Sequence, residues 1–294
     1  MAGKRPPFPI SHSDFRMRKL VTAAPGQYDA PMHKIKHICD FLERFAPLEL
    51  AEEWDNVGLL VGDRESAAQR VMTCLTVTPD SAEEAIAEDA QLIVTHHPLP
   101  FRPLSRLTRD TTPGRLLLDL IRAGVAVYSP HTAFDSAAAG INQRLAEGLR
   151  LKDIAPLVPL PEAPSAAGAG RFGWLHPAGT VGDVARRLKE FVGVDRLQVT
   201  GAADRQVRKV AVACGSAGQF LSEARRLGCD LLVTGETSFH TCLEAAATDV
   251  AVLLSGHFAS ERFAVERLAT VVAEEFPGVT VWPSRREKNP LQWM

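Results

Sequence analysis

Apolar residues at Ile35, Ile38, Phe41, Leu42 and Phe45 recur at helical spacing and stop at Ala46-Pro47, which predicts an amphipathic first helix. Beyond it the period changes. Short β-rich apolar runs at 57–61, 71–77, 92–95 and 125–129 read as buried strands. Helix signals fall between them. Ser81-Ala-Glu-Glu84 has the pattern of a capping box, and Thr112-Pro113 with Gly124 brackets a helix over 115–123. Alternating strand and helix predicts an α/β fold with substantial parallel sheet.

Residues 1–31 hold no amphipathic pattern and read as a disordered extension or a mis-assigned start ahead of Met32. A first α/β lobe is expected over 32–154. The stretch 155–170 is rich in Pro, Ala and Gly and reads as a linker, with a second α/β lobe over 171–294. The second lobe repeats the first. Arg70-Val-Met-Thr-Cys-Leu75 and Leu92-Ile-Val-Thr-His-His97 correspond to Arg208-Lys-Val-Ala-Val-Ala213 and Leu231-Leu-Val-Thr-Gly-Glu236. Ala126-Val-Tyr-Ser-Pro-His131 with Asp135 corresponds to Val252-Leu-Leu-Ser-Gly-His257 with Glu261. Both halves place polar residues just past the carboxyl ends of apolar strands, where open α/β sheets bind ligands. The expected architecture is two related three-layer α/β lobes forming a pseudo-repeat, with one site in the cleft between them.

Composition narrows the partners. With 33 Lys and Arg against 35 Asp and Glu, the net charge of -2 offers no electrostatic reason to expect nucleic acid or an anionic membrane. No apolar run has the length of a membrane span. The 5 cysteines are odd in number and form no Cys-x-x-Cys pair, which argues against a disulfide framework and a thiolate zinc cage and favours a reducing cytoplasm.

The chemistry gathers at three strand ends. His96 and His97 follow one strand, and Pro98 allows the turn that would aim both rings at one site. His131/Asp135 and His257/Glu261 share a spacing of four, which puts imidazole and carboxylate on one helical face, and they sit at matching places in the repeat. Four imidazoles and two carboxylates without a thiolate suit Zn, Mn, Fe, Co or Ni. Six donors exceed the need of one tetrahedral ion, so two metals sharing a carboxylate is the economical reading. Glu236, Ser238 and His240 lie where the first lobe has its His pair, a place for second-sphere or proton-transfer groups. Arg102, Arg106 and Arg109 are candidates for holding an anionic substrate. Trp54-Asp-Asn-Val-Gly58 reads as a turn with Asp55 or Asn56 capping backbone, and His12, His33, His37 and His176 have no partner at metal spacing.

Trp54-Asp-Asn-Val-Gly-Leu, Val94-Thr-His-His-Pro-Leu, Ser129-Pro-His-Thr-Ala-Phe-Asp135, Thr234-Gly-Glu236 and Ser255-Gly-His-Phe-Ala-Ser-Glu261 together resemble the dinuclear-metal-centre hexameric proteins known as GTP cyclohydrolase 1 type 2 homologues. The resemblance runs from about Met32 to Pro290. It implies two related α/β lobes in the compact form without an inserted domain, a toroidal homohexamer built as a trimer of dimers, and two divalent metals per chain. It puts the metal ligands on His96, His97, Asp135, His257 and Glu261, and His131 beside them as a second-sphere group or proton carrier. Two features depart from the family pattern: the segment before Met32, and Thr76 where an Asp is common. Two functions follow as expectations. One is a metal-dependent hydrolase of a nucleotide-like or phosphorylated small molecule, with His131 or Glu236 moving protons and Arg102 holding phosphate. The alternative is a non-catalytic, metal-stabilised hexameric scaffold for binding or regulation.

Overall fold

Helix α1 (Ile35–Phe45) buries Ile35, Ile38, Cys39 and Leu42 along one face, as its apolar spacing predicts. The computed structural model describes residues 33–160, 166–292 and 294, so the expectations for 1–31 lie outside the described residues. The chain continues through β1 (Gly58–Val61), β2 (Arg70–Cys74), α2 (Pro79–Ala87), β3 (Leu92–Thr95), α3 (Thr112–Ala123), β4 (Ala126–Ser129), α4 (His131–Ser136) and α5 (Ile141–Gly148). The second half runs β5 (Lys152–Pro159), β6 (Gly168–Thr180), α6 (Val181–Val192), β7 (Gln198–Thr200), β8 (Gln206–Ser216), α7 (Leu221–Arg226), β9 (Leu231–Glu236), α8 (Phe239–Ala247), β10 (Ala251–Leu254), α9 (His257–Glu275) and β11 (Thr280–Pro283).

These strands form a 5-stranded sheet, β1-β4-β3-β2-β11, and a 6-stranded sheet, β5-β6-β8-β9-β10-β7. The repeat appears strand for strand. Parallel β2, β3 and β4 with antiparallel β1 match parallel β8, β9 and β10 with antiparallel β7. Each sheet has apolar clusters on both faces. In the first, Met72, Ile93 and Val127 pack with Leu116 and Leu120 of α3, while Val71, Val94 and Tyr128 pack with Ile38, Phe134 and Leu268. In the second, Val210 and Val233 pack with Val184 and Leu188 of α6, while Ala211 and Leu232 pack with Leu221 and Ala245. This is the three-layer α/β arrangement. Helix α9 packs against β2, β8 and β9 and so touches both sheets.

Three local readings differ from the sequence pattern. Helix α2 starts a turn earlier than the Ser81 box suggests: Thr78 is the cap, accepting from Ser81 N, and Pro79 occupies the first turn. Strand β5 and the start of β6 occupy much of the stretch 155–170 read as linker. Strand β5 is at the sheet edge, where Pro156 and Pro159 are tolerated because one side of the strand needs no donor. The C-terminal strand β11 pairs in parallel with β2, so residues from the end of the chain complete the first sheet.

Glu84 secures that return. Its buried carboxylate accepts from Ser284 Oγ at 2.7 Å, from the backbone N–H groups of Arg285 and Arg286 at 3.0 Å each, and from Trp282 Nε1 at 3.2 Å. Burial works against the charge, and these donors overcome it, holding the carboxyl below its ordinary 4.5. A depressed carboxyl contributes stability that is fully present above pH 4.5 and is lost as pH falls through the folded-state value. In denaturant unfolding followed by circular dichroism, Glu84→Gln should be less stable than the parent near neutrality and should converge on it as pH falls below 4.5. A gap between the two that is independent of pH would refute the charged latch.

Candidate metal centre

The centre is built at the carboxyl ends of the equivalent parallel strands. Just past β3, His96 N–H donates to Cys74 O at 3.1 Å and His97 N–H to Leu75 O at 2.8 Å, while Ser129 Oγ donates to His96 O at 2.7 Å. Backbone and hydroxyl bonds thus turn both adjacent rings inward, with centroids 5.0 Å apart. His131 opens α4 at φ +25°, a left-handed conformation uncommon for a side-chain-bearing residue and of a kind that concentrates at functional sites. His257 opens α9, and Glu261 follows one turn later on the same face.

All six anticipated donors converge. Glu261 Oε2 lies 3.2 Å from both His97 Nε2 and His257 Nε2, and its Oε1 lies 3.8 Å from His96 Nε2. Asp135 Oδ1 is 3.7 Å from His96 Nε2. The ligand atoms of His96, His97 and His131 lie within 4.8 Å of one another, as do those of His97, His257 and Glu261. His131, which the resemblance puts beside the metals, therefore stands in one of these two groups, and Asp135 approaches from the edge.

Burial leaves this donor set unsatisfied. Both ring nitrogens of His96 and Oε2 of Glu261 are buried without a hydrogen-bond partner, a condition that costs free energy unless something else takes the lone pairs. At Gly215, with φ +65°, a Cβ would run into Glu261 Oε1, so the missing side chain keeps the carboxylate's space open. Nitrogen and carboxylate donors with unused lone pairs, in a space kept clear, fit a divalent transition ion.

The charges are arranged for the same end. Burial pushes His96 well below its ordinary value, which keeps the ring neutral with a lone pair to give. Burial opposes the charge on Glu261, but His257, His97 and His96 overcome it and hold the carboxylate well below its usual range. Burial and the Glu261 charge push Asp135 up. Against its burial, the Glu261 carboxylate 3.2 Å away and the bond to Glu236 raise His257 to about 9.

A ring of orienting contacts surrounds the donors. His131 Nδ1 bonds Asp55 Oδ1 at 2.7 Å, and the other Asp55 oxygen accepts from Thr132 N and its hydroxyl. Burial opposes the Asp55 charge and these bonds outweigh it, holding the carboxyl down to about 2; Asp55 likewise raises His131 against its burial. Nε2 of His131 is left for the site. Thr76 Oγ1 bonds His97 Nδ1 at 2.7 Å, and Glu236 Oε1 bonds His257 Nδ1 at 3.0 Å. Thr76 is thus a partner of a site histidine. Cys214 Sγ donates to Asp135 Oδ1 at 3.2 Å.

Two cavities meet here. One of about 490 Å³ is lined by Trp54, Phe101, His131, Asp135, Cys214 and Phe220, among others. The other, of about 1070 Å³, is lined by Arg196, Gln198, Glu236, Ser255 and Asn289, among others, and His97 and His257 border both. Arg102 and Arg106 are exposed and line neither cavity. Arg109 pairs with Asp119, Ser238 caps α8, and His240 is exposed. Asp55 accepts from the backbone N–H groups of Asn56 and Thr132, as the sequence suggests for a cap, but its bond to His131, and the places of Cys214 and Arg196, escaped the sequence reading. For Asp55 the signal was an acid inside Trp54-Asp-Asn, but its partner lies 76 residues away.

The arrangement has relatives. Residues 33–290 match the family described as Duf34/NIF3 (NGG1p interacting factor 3). A Clostridium acetobutylicum protein named GTP cyclohydrolase 1 type 2 homolog is 37% identical over 228 residues, covering 78% of this chain and 85% of its own length. A Drosophila melanogaster protein, NIF3-like protein 1, is 32% identical over 262 residues and covers 88% of each chain. The crystal structure of a Bacillus cereus protein related to NIF3 shares the fold at a TM-score of 0.80 and 22% identity, covering 90% of this chain and 100% of that one. With residues 33–290 matched by the family and a relative 37% identical over 228 residues, the protein belongs to the Duf34/NIF3 family.

Proposed function

We propose that the chain is a metal-dependent hydrolase that holds two divalent transition ions and acts on a nucleotide-like or phosphorylated small molecule. The observation that carries this reading is the buried, unpartnered set of His96 nitrogens and Glu261 Oε2 inside four imidazoles and two carboxylates. His96, His97, Asp135, His257 and Glu261 would hold the ions, whether Zn, Mn, Fe, Co or Ni. Such a pair supplies an acidified water and polarises an electrophilic carbon or phosphorus.

The chain's own groups supply the rest. Asp55 accepts from Nδ1–H of His131 and so directs Nε2 toward the site, where that ring can take or deliver a proton. Glu236 fixes the ring of His257 in the same manner. The name carried by the clostridial relative makes GTP the first substrate to assay. We extend the reading to a cytoplasmic homohexamer, a trimer of dimers. All five cysteines are free thiols, as a reducing compartment requires, and no helix among the described residues is long and apolar enough to cross a membrane. Exposed Phe239 and Leu243 on α8 suit contact with another copy.

The first test is elemental analysis of protein purified without chelator or affinity nickel. The expected result is about two equivalents of transition metal per chain, with loss of at least one in Asp135→Ala. No metal, and none taken up on reconstitution, would end the dinuclear reading. A loaded protein that turns over neither GTP nor a panel of nucleotides and phosphoesters would favour the non-catalytic binding hexamer.

A further inference from the structure

Two large aromatic side chains stand open to solvent at the smaller cavity: Trp54 is 63% exposed and Phe101 is 48% exposed. Aromatic area of this size is normally placed against something. The pair is held in position. The ring centroids are 6.1 Å apart, and each ring stands edge-on to His131, at 6.1 Å for Trp54 and 5.9 Å for Phe101. Asn56 Nδ2 donates to Pro100 O at 2.8 Å, tying the two loops that carry the rings. Elsewhere the same cavity is lined by Gly170, Ala213, Gly215 and Ala217, whose small side chains leave space for a flat body. Past His97 and His257 the larger cavity is lined by Arg196, an exposed cation, with Asp195 next to it in the chain and Glu236 engaged by His257.

The geometry points to a ligand in two parts: a planar aromatic ring stacked on Trp54 with the tilted Phe101 ring at its edge, and an anionic tail that passes His97 and His257 to Arg196. This deepens the hydrolase reading and rests on it only for the ligand being a substrate. The shared histidines set the order of the parts, with the reacting region over the centre and a recognition group on each side. Stacking is tolerant of ring identity because every base offers a π face. Guanosine is therefore an adequate probe of the ring side, inorganic tripolyphosphate of the tail side, and GTP of both.

The test is calorimetric binding of these three probes to the metal-loaded full chain, with metal content and sedimentation measured on the same samples. GTP should bind more tightly than either part. Trp54→Ala should weaken guanosine and GTP on the order of tenfold and leave tripolyphosphate unchanged, while Trp54→Phe keeps guanosine binding. Arg196→Gln should do the reverse, weakening tripolyphosphate and GTP but not guanosine. Failure of guanosine to bind, indifference of guanosine to Trp54→Ala, indifference of tripolyphosphate to Arg196→Gln, or a change of assembly in Trp54→Ala in place of a change in ring binding would each overturn the two-part ligand. Failure of the hydrolase reading shows separately, as absent metal in the parent or as GTP binding without turnover.

Discussion

Glu261→Gln should leave the chain folded and unable to retain metal. The substitution keeps the volume of a side chain that is 3% exposed, so no cavity forms. What changes is the charge between His97 and His257, each 3.2 Å from Oε2, and beside His96 at 3.8 Å from Oε1. An amide is a weak ligand, and its N–H donors would pair with the imidazole lone pairs that an ion needs. Loss of partners that merely orient metal ligands commonly costs about 10–100-fold in affinity, so loss of the central carboxylate should exceed about 100-fold. The metal-free chain gives a second readout. His257 is raised from 6.5 to about 9 chiefly by Glu261, so the pair's stabilisation is fully present below pH 6.5 and disappears as pH rises through 9. Metal-free parent protein should lose stability across that interval, and Glu261→Gln should show little of this slope. Metal analysis after dialysis and unfolding midpoints against pH measure both effects. Retention of the full metal content by Glu261→Gln would remove Glu261 from the ligand set.

The legible parts of the centre were those encoded by short spacing. Adjacent histidines after an apolar strand, and an imidazole with a carboxylate one helical turn later, are local patterns, and their duplication located equivalent strand ends. Substantial parallel sheet was readable from the alternation of strand and helix, whereas the strand orders and the antiparallel β1, β5, β6 and β7 were not. Illegible features join residues far apart in the chain. Asp55 meets His131 across 76 residues, and Glu84 meets Trp282 across 198. Glu84 looked like the acid of a capping box because the local motif and a buried latch call for the same residue type. The edge strand β5 was hidden by its prolines, which forbid a central strand and permit an edge. Arg102 was chosen for following the His pair closely, whereas the cavity takes its arginine from the loop between α6 and β7.

Arg171→Met should lower stability by about 3–5 kcal/mol, the range for breaking a buried, hydrogen-bonded charge site. Arg171 is 0% exposed and has no carboxylate partner among the described residues; its guanidinium is shared among backbone carbonyls. Nη1 donates to Gly168 O at 2.6 Å and Gly170 O at 2.7 Å. Nη2 donates to Ala137 O at 2.7 Å, Ala166 O at 3.0 Å and Ser136 O at 3.4 Å, and Nε donates to Gln143 Oε1 at 3.0 Å. Burial lowers its pKa to about 10, so the group remains charged at neutral pH and every donor stays in use. Methionine fills the space and strands those acceptors inside the protein. Lysine should not rescue the loss, because one ammonium has three donors and cannot reproduce a planar fork. The loss should also reach the metal centre. Ser136 and Ala137 end the helix that presents His131 and Asp135, while Arg171 itself belongs to β6 of the other sheet, so this guanidinium fastens the end of that helix to the framework of the other half. Thermal unfolding of the metal-free protein should fall by on the order of 10 °C in Arg171→Met. Metal affinity should weaken by less than in Glu261→Gln, since every ligand is still present but α4 is less firmly held. A midpoint equal to the parent's would show that the carbonyls find other donors and that the two halves are joined without this guanidinium.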